Sequence, residues 1–116
     1  MGNKKAQQKA ELLPGTLEML ILKSLERNTE PMHGYDIALY LKGISNDVLR
    51  VEEGSLYPAL QRLALKGWVT TDWGQSKNNR RARFYQITSN GKKQLKQETA
   101  DFDRLLEAVL LVMRPA

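Results

Sequence analysis

Apolar residues along this chain fall into helical stripes first, then two short β-like runs, then a final long stripe. Leu17, Leu20, Ile21 and Leu25 recur at i, i+3, i+4 and i+8. That spacing predicts one buried helix face, with Thr16 as N-cap, Asn28 at the end and Pro31 barring continuation. A second helix is predicted from about Gly34 to Lys42, burying Ile37, Ala38 and Leu41, with Gly43 as its stop. The connection Ile44 to Glu53 is read as carrying a short strand at Val48 to Val51. A third helix, Ser55 to Lys66, has Leu56, Ala59, Leu60 and Leu63 on one side and Ser55, Tyr57, Pro58, Gln61, Arg62 and Leu65 pointing elsewhere. Ser55 is placed as its cap, Pro58 in its first turn, where a missing N–H costs little, and Gly67 at its end. Trp68 to Trp73 and Arg83 to Ile87 are rich in aromatic and β-branched residues and are predicted strands. Between them Gly74 to Arg81 forms a polar hairpin tip. Thr88 or Ser89 then caps a last helix in which Leu95, Phe102, Leu106, Val109 and Met113 recur at spacings of seven, four, three and four.

The order helix, helix, helix, strand, basic hairpin, strand, helix defines the expected class. It is mainly α with a small β-hairpin, a winged helix-turn-helix followed by a long C-terminal helix. The expected division is a polar N-terminal arm over residues 1–13, a winged domain over 14–88 and a C-terminal dimerisation helix over 89–116. The stretch Leu105 to Met113 is apolar almost all round. An isolated surface helix is apolar on one stripe only, so this one predicts burial against a second copy of the chain. The dimerisation residues would be Leu95, Phe102, Leu105, Leu106, Val109, Leu110 and Met113.

Composition narrows the chemistry. The chain has 116 residues, no Cys and one His. This excludes disulfide frameworks, thiol catalysis, thiolate metal sites and paired-His metal motifs. No nucleophile–base pair or glycine-rich phosphate loop is visible, so neither an enzyme nor a cofactor or metal site is expected. No apolar run is long enough to span a bilayer, so no membrane role is expected and a cytoplasmic location is. The formal net charge is +5, and its distribution matters more than its size. From Trp73 to Gln97 there is no acidic residue, while Lys77, Arg80, Arg81, Arg83, Lys92, Lys93 and Lys96 supply +7. The block begins on the hairpin and runs into the last helix, which points to a polyanionic partner.

Double-stranded DNA suits this arrangement. A helix fits the major groove, about 12 Å wide. Its first N–H groups suit phosphate, and a hairpin bearing arginines reaches neighbouring backbone or the minor groove. The candidate DNA-binding residues are Tyr35 at the start of the second helix, Ser55, Tyr57, Pro58, Gln61, Arg62 and Lys66 on the third, and Lys77, Arg80, Arg81 and Arg83 on the wing. Gln61 and Arg62 are the candidates for base edges, since Gln pairs bidentately with adenine and Arg with guanine. Competing readings are Tyr57 as a core or interface residue, Ser55 as a cap alone, Gln61 and Arg62 as ordinary exposed polar residues, Lys77, Arg80 and Arg81 as a solvated loop, Tyr35 as a core residue and Arg83 as the ion-pair partner of an acid such as Asp72. His33 is read as neither ligand nor catalyst, Trp68 as core and Trp73 as partly exposed at the wing base.

Glu53-Gly54-Ser55-Leu56-Tyr57-Pro58-Ala59-Leu60-Gln61-Arg62-Leu63, with Gly67 following, resembles the third-helix signature of the PadR family of bacterial transcription regulators. Leu13-Pro14-Gly15-Thr16-Leu17, His33-Gly34-Tyr35-Asp36-Ile37 and Arg83-Phe84-Tyr85-Gln86-Ile87-Thr88-Ser89-Asn90-Gly91 match in the same order. Ala64-Leu65 departs from the family's frequent acidic pair. The resemblance implies a homodimeric repressor of the short form, with one C-terminal dimerisation helix, binding a palindromic operator often near its own gene. It also implies, for some members, release by small aromatic compounds. Here a gap between facing helices would seat a small hydrophobic or aromatic effector. The alternative is a winged-helix module that binds DNA without reading sequence, or one that mediates protein interaction.

Overall fold

The computed structural model describes residues 14–115. The polar arm expected over residues 1–13 lies outside them. The elements are α1 (Pro14–Arg27), β1 (Met32–His33), α2 (Gly34–Ile44), α3 (Glu53–Leu65), β2 (Val69–Gln75), β3 (Arg81–Ile87) and α4 (Ser89–Met113). The three strands form an antiparallel sheet in the order β1-β3-β2. This is the expected winged helix-turn-helix with a long C-terminal helix.

Several boundaries differ from expectation. Helix α1 is already helical at Pro14, before the expected cap Thr16. Helix α2 runs through Gly43 to Ile44, and the chain turns beyond it with Asn46 and Asp47 at positive φ. The strand expected at Val48 to Val51 is absent. Strand β3 is paired by β2 on one edge and by Met32–His33 on the other, so no edge of β3 remains for it.

Helix α3 begins two residues before Ser55, with Glu52 as N-cap residue. Pro58 is therefore inside the helix, one turn further in than expected. It has no N–H to donate to the Gly54 carbonyl four residues back. The other end follows the expectation: Gly67 adopts φ +76°, its N–H bonds the Ala64 carbonyl, and the Trp68 N–H bonds the Leu63 carbonyl. This Schellman closure needs a residue that tolerates left-handed backbone, hence glycine.

The core is where the stripes meet. Leu17, Ile21, Leu22 and Leu25 of α1, Ile37 and Leu41 of α2, and Leu56, Ala59, Leu60 and Leu63 of α3 are buried together with Met32, Val69, Tyr85 and Leu95. Each large aliphatic side chain so buried stabilises the fold by roughly 1.5–3 kcal/mol before entropy is counted. Leu95 was expected at a dimer interface. It is instead 3% exposed in its own chain's core, where the start of α4 packs on α1.

The start of α4 is tied to the α3–β2 turn. The Thr88 hydroxyl donates to the Gly67 carbonyl at 2.8 Å and accepts from the Gly91 N–H at 3.0 Å. The Thr88 N–H donates to the Trp68 carbonyl. At Gly91 the two backbones nearly touch: a Cβ there would run into the Trp68 carbonyl oxygen and lie 2.8 Å from Ile87 Cγ1. Gly43, by contrast, has nothing within 4 Å of its would-be Cβ. Gly91→Ala is expected to destabilise the fold by about 3 kcal/mol, and Gly43→Ala to stabilise it by up to about 1 kcal/mol. Urea unfolding of the two variants checks both signs.

Candidate nucleic-acid interface

The outward side of α3 is defined by what its inward side must do. With Leu56, Ala59, Leu60 and Leu63 committed to the core, Ser55, Tyr57, Pro58 and Gln61 are left exposed, and so is Leu65, at 80%. The structure brings this face against the N-terminus of α2. The Tyr57 ring lies against Gly34, where a Cβ would come within 2.7 Å of Cε1 and 2.8 Å of the phenol oxygen. Burial against α2, with Glu53 and then Tyr85 nearby, pushes the Tyr57 phenol above its ordinary pKa. It stays protonated, a hydrogen-bond donor, throughout the neutral range.

Tyr35 is exposed beside it, settling its competing core reading, with its ring stacked on His33 at 6.4 Å. His33 has a structural role that the sequence did not disclose. Its Nδ1 accepts from the Asp36 N–H at 3.2 Å, capping α2, and its ring meets Phe84 edge-on at 5.3 Å. No group of three or more metal-ligating side chains occurs among the described residues.

The positive end of α3 does not present itself to phosphate as simply as expected. Glu52 and Glu53 stand at its first turn, exposed, and already complement the helix dipole. Arg62 and Lys66 also depart from expectation. Arg62 Nε donates to Glu18 Oε2 at 2.7 Å, and Lys66 Nζ lies 3.4 Å from Glu18 Oε1 and 4.8 Å from the centre of the Trp68 ring. Glu18 sits on the buried side of α1, 5% exposed, and a carboxylate there needs partners. Both basic residues therefore occupy the α3 flank that faces α1. The available signal was a Glu three and four residues before Ile21 and Leu22, inside an apolar stripe.

The wing is a tight hairpin. Ser76 and Arg80 close its turn, with the Asn79 N–H bonded to the Ser76 carbonyl and Asn79 itself at φ 59°. This is a type I turn followed by one left-handed residue. Lys77, Arg80, Arg81 and Arg83 are all exposed. Arg83 does not pair with Asp72: the register sets Arg83 opposite Trp73 and Asp72 opposite Phe84, on the other face of the sheet. Trp73, 55% exposed, has the Arg81 guanidinium 4.3 Å and the Arg83 guanidinium 5.2 Å from its ring centre.

The basic block thus divides in two. Four of its members are on the wing. Lys92, Lys93 and Lys96 line an open groove of about 570 Å³ between α1 and α4, with Lys23 and Glu26 opposite. Beyond this groove Phe102, Leu105, Leu106, Val109, Leu110 and Met113 stand exposed along α4.

A three-helix unit with a basic antiparallel wing and an outward polar face on its third helix defines a winged helix-turn-helix protein of the DNA-binding class. Residues 21–97 match the model of the transcriptional regulator PadR-like family, and the chain belongs to that family. It is 31% identical to a PadR-like transcription factor of Bacteroides fragilis, the match covering 95% of this chain and 98% of that one with a TM-score of 0.68. A PadR-family regulator of Eggerthella lenta is 26% identical, with 88% and 85% covered and a TM-score of 0.73. A Clostridium thermocellum transcriptional regulator, 23% identical with 86% and 95% covered, shares the fold at a TM-score of 0.77. The family is one of regulators rather than enzymes, and no helix among the described residues is long and apolar enough to cross a membrane.

Because Arg62 holds a buried carboxylate while Gln61 is exposed, their truncations are expected to separate. Arg62→Ala should lower stability by about 1–2 kcal/mol, and Gln61→Ala should leave it within about 0.5 kcal/mol. Chemical denaturation of the two variants measures the difference.

Proposed function

We propose that this regulator is a homodimeric, sequence-specific repressor that seats α3 of each subunit in successive major grooves of a palindromic operator. The observation that carries the reading is the juxtaposition of an exposed α3 face, Tyr57, Pro58 and Gln61, with a wing of four exposed basic residues. Gln61 supplies base contact. Ser55, Tyr35 and the Tyr57 phenol supply phosphate contact, together with Lys77, Arg80, Arg81 and Arg83. Arg62, which holds Glu18 through Nε alone, and Lys66 stand beside them on the α3 flank.

The dimer reading rests on α4. Its second half is apolar yet exposed in the single chain, and a second α4 packed along Phe102, Leu106, Val109 and Met113 would bury it. Two copies related by a twofold axis require half-sites about one helical turn apart, or a multiple of that. Repression follows from occupancy, since a dimer lying across a promoter excludes other proteins from it. This work belongs in the cytoplasm, with the chromosome. A small hydrophobic or aromatic effector lodged between the two α4 helices would release the DNA by binding the released form better than the bound one.

Fluorescence anisotropy with a duplex from upstream of the protein's own gene and with a scrambled copy tests the specific reading. A preference of about a thousandfold is expected. Equal affinities that fade together with salt would replace it with charge-driven binding, the property of a winged helix that does not read sequence. Light scattering tests the dimer. The wild type is expected at twice the chain mass, and Leu106→Lys with Val109→Lys at the chain mass.

Tyr57 gives a further expectation. Gly34→Ala forces its ring off α2, so that variant and Tyr57→Ala should weaken DNA binding to a similar degree. Binding by the double variant should be no weaker than by either alone.

A further inference from the structure

The wing arginines and Arg62 are held in place by opposite means. Arg62 is fixed by a carboxylate, which accepts from its Nε and offsets charge that it shares with Lys66. Arg81 and Arg83 lie over the Trp73 ring, and no carboxylate pairs with either guanidinium among the described residues. A guanidinium over a ring face keeps its full charge, and its five N–H donors are not taken up by a carboxylate. An arginine so held has lost side-chain freedom without losing anything a phosphate would bind.

The placement follows from the strand register. Trp73 is directly across from Arg83, and Gln75 from Arg81, so all four side chains project from the same face of the hairpin. Two like charges two residues apart on one strand repel each other, and an aromatic face beside both offsets part of that cost. A tryptophan 55% exposed on a polar hairpin otherwise costs solvation without a core to compensate.

We infer that Trp73 is a positioning residue for DNA binding: it pre-orients Arg81 and Arg83 as a paired phosphate clamp on the wing. The inference rests on the reading of the wing as a DNA contact and adds what arranges that contact. Phosphate contacts do not depend on sequence, so a mixed-sequence duplex spanning two half-sites is a sufficient probe.

The test compares the wild type, Trp73→Leu, Trp73→Phe, the pair Arg81→Ala with Arg83→Ala, and the triple variant carrying Trp73→Leu on that pair. Each is titrated by anisotropy over a range of salt, after thermal unfolding has shown that it folds. Trp73→Leu should weaken binding about three- to tenfold, the size expected when flexible side chains must be ordered on binding rather than beforehand. The slope of log affinity against log salt should hardly change, because both charges remain. Trp73→Phe, which keeps a ring face, should recover most of the loss. The arginine pair, four charges in a dimer bound across both half-sites, should flatten the slope by about three to four, and adding Trp73→Leu to it should change nothing further. If Trp73→Leu weakens binding equally with and without the arginines, the ring acts on its own and the inference falls. It falls also if Trp73→Leu has no effect while the arginine pair does. If the arginine pair leaves affinity and slope unchanged, the wing is not a DNA contact, and the functional reading of the wing fails along with the inference.

Discussion

Everything in this fold is arranged around a helix that must serve two environments at once. Leu56, Ala59, Leu60 and Leu63 of α3 are buried to within 1% exposure, yet the opposite side of the same helix is bare. Such a helix cannot be stable alone, because most helical stability in a protein comes from packing of its apolar face. Helices α1 and α2 and the first residues of the sheet supply that packing and so fix the angle at which the bare face is presented. The Glu18 carboxylate reinforces the arrangement from α1, since its ion pairs hold the α3 flank that carries Arg62 and Lys66. Gly34 does the same from α2 by admitting the Tyr57 ring.

The basic residues then sort by function according to what holds them. Those tied to Glu18 are part of the scaffold, and its one carboxylate offsets one of their two charges. Those on the wing retain theirs, whether solvated, as Lys77 and Arg80 are, or laid over an aromatic ring. A third group, the lysines of the α1–α4 groove, stands apart from both. Net charge alone conceals this division, because it does not say which cations have a carboxylate beside them.

The sequence was most informative where the determinant is local and periodic. The helical stripes, the Gly67 stop, the Thr88 cap and the hairpin all follow from spacing within a few residues, and the structure contains each of them. Local reasoning failed where the partner is distant or the element too short for a period. Strand β1 is two residues long and exists only because β3 offers it an edge. Arg62 and Glu18 are 44 residues apart, so nothing near Arg62 shows that its guanidinium is engaged. Leu95 belongs to the same heptad-like run as the exposed apolar residues of α4, and only the packing of α1 against that helix separates it from them. In the site, exposure of Gln61, Tyr57 and the wing was legible; the occupations of Arg62, Lys66, Arg83 and His33 were not.

The junction at Thr88 and Gly91 has a mechanical meaning. Backbone contact and two hydrogen bonds of one hydroxyl leave no compliant joint between α4 and the turn that ends α3. Helix α4, 25 residues long, is therefore a lever of about 37 Å at 1.5 Å per residue, with its fulcrum against the DNA-facing unit. A displacement of about 3 Å at its far end would turn that unit by roughly 5° over such an arm. A load on the exposed end of α4 is thus passed to the turn that ends α3.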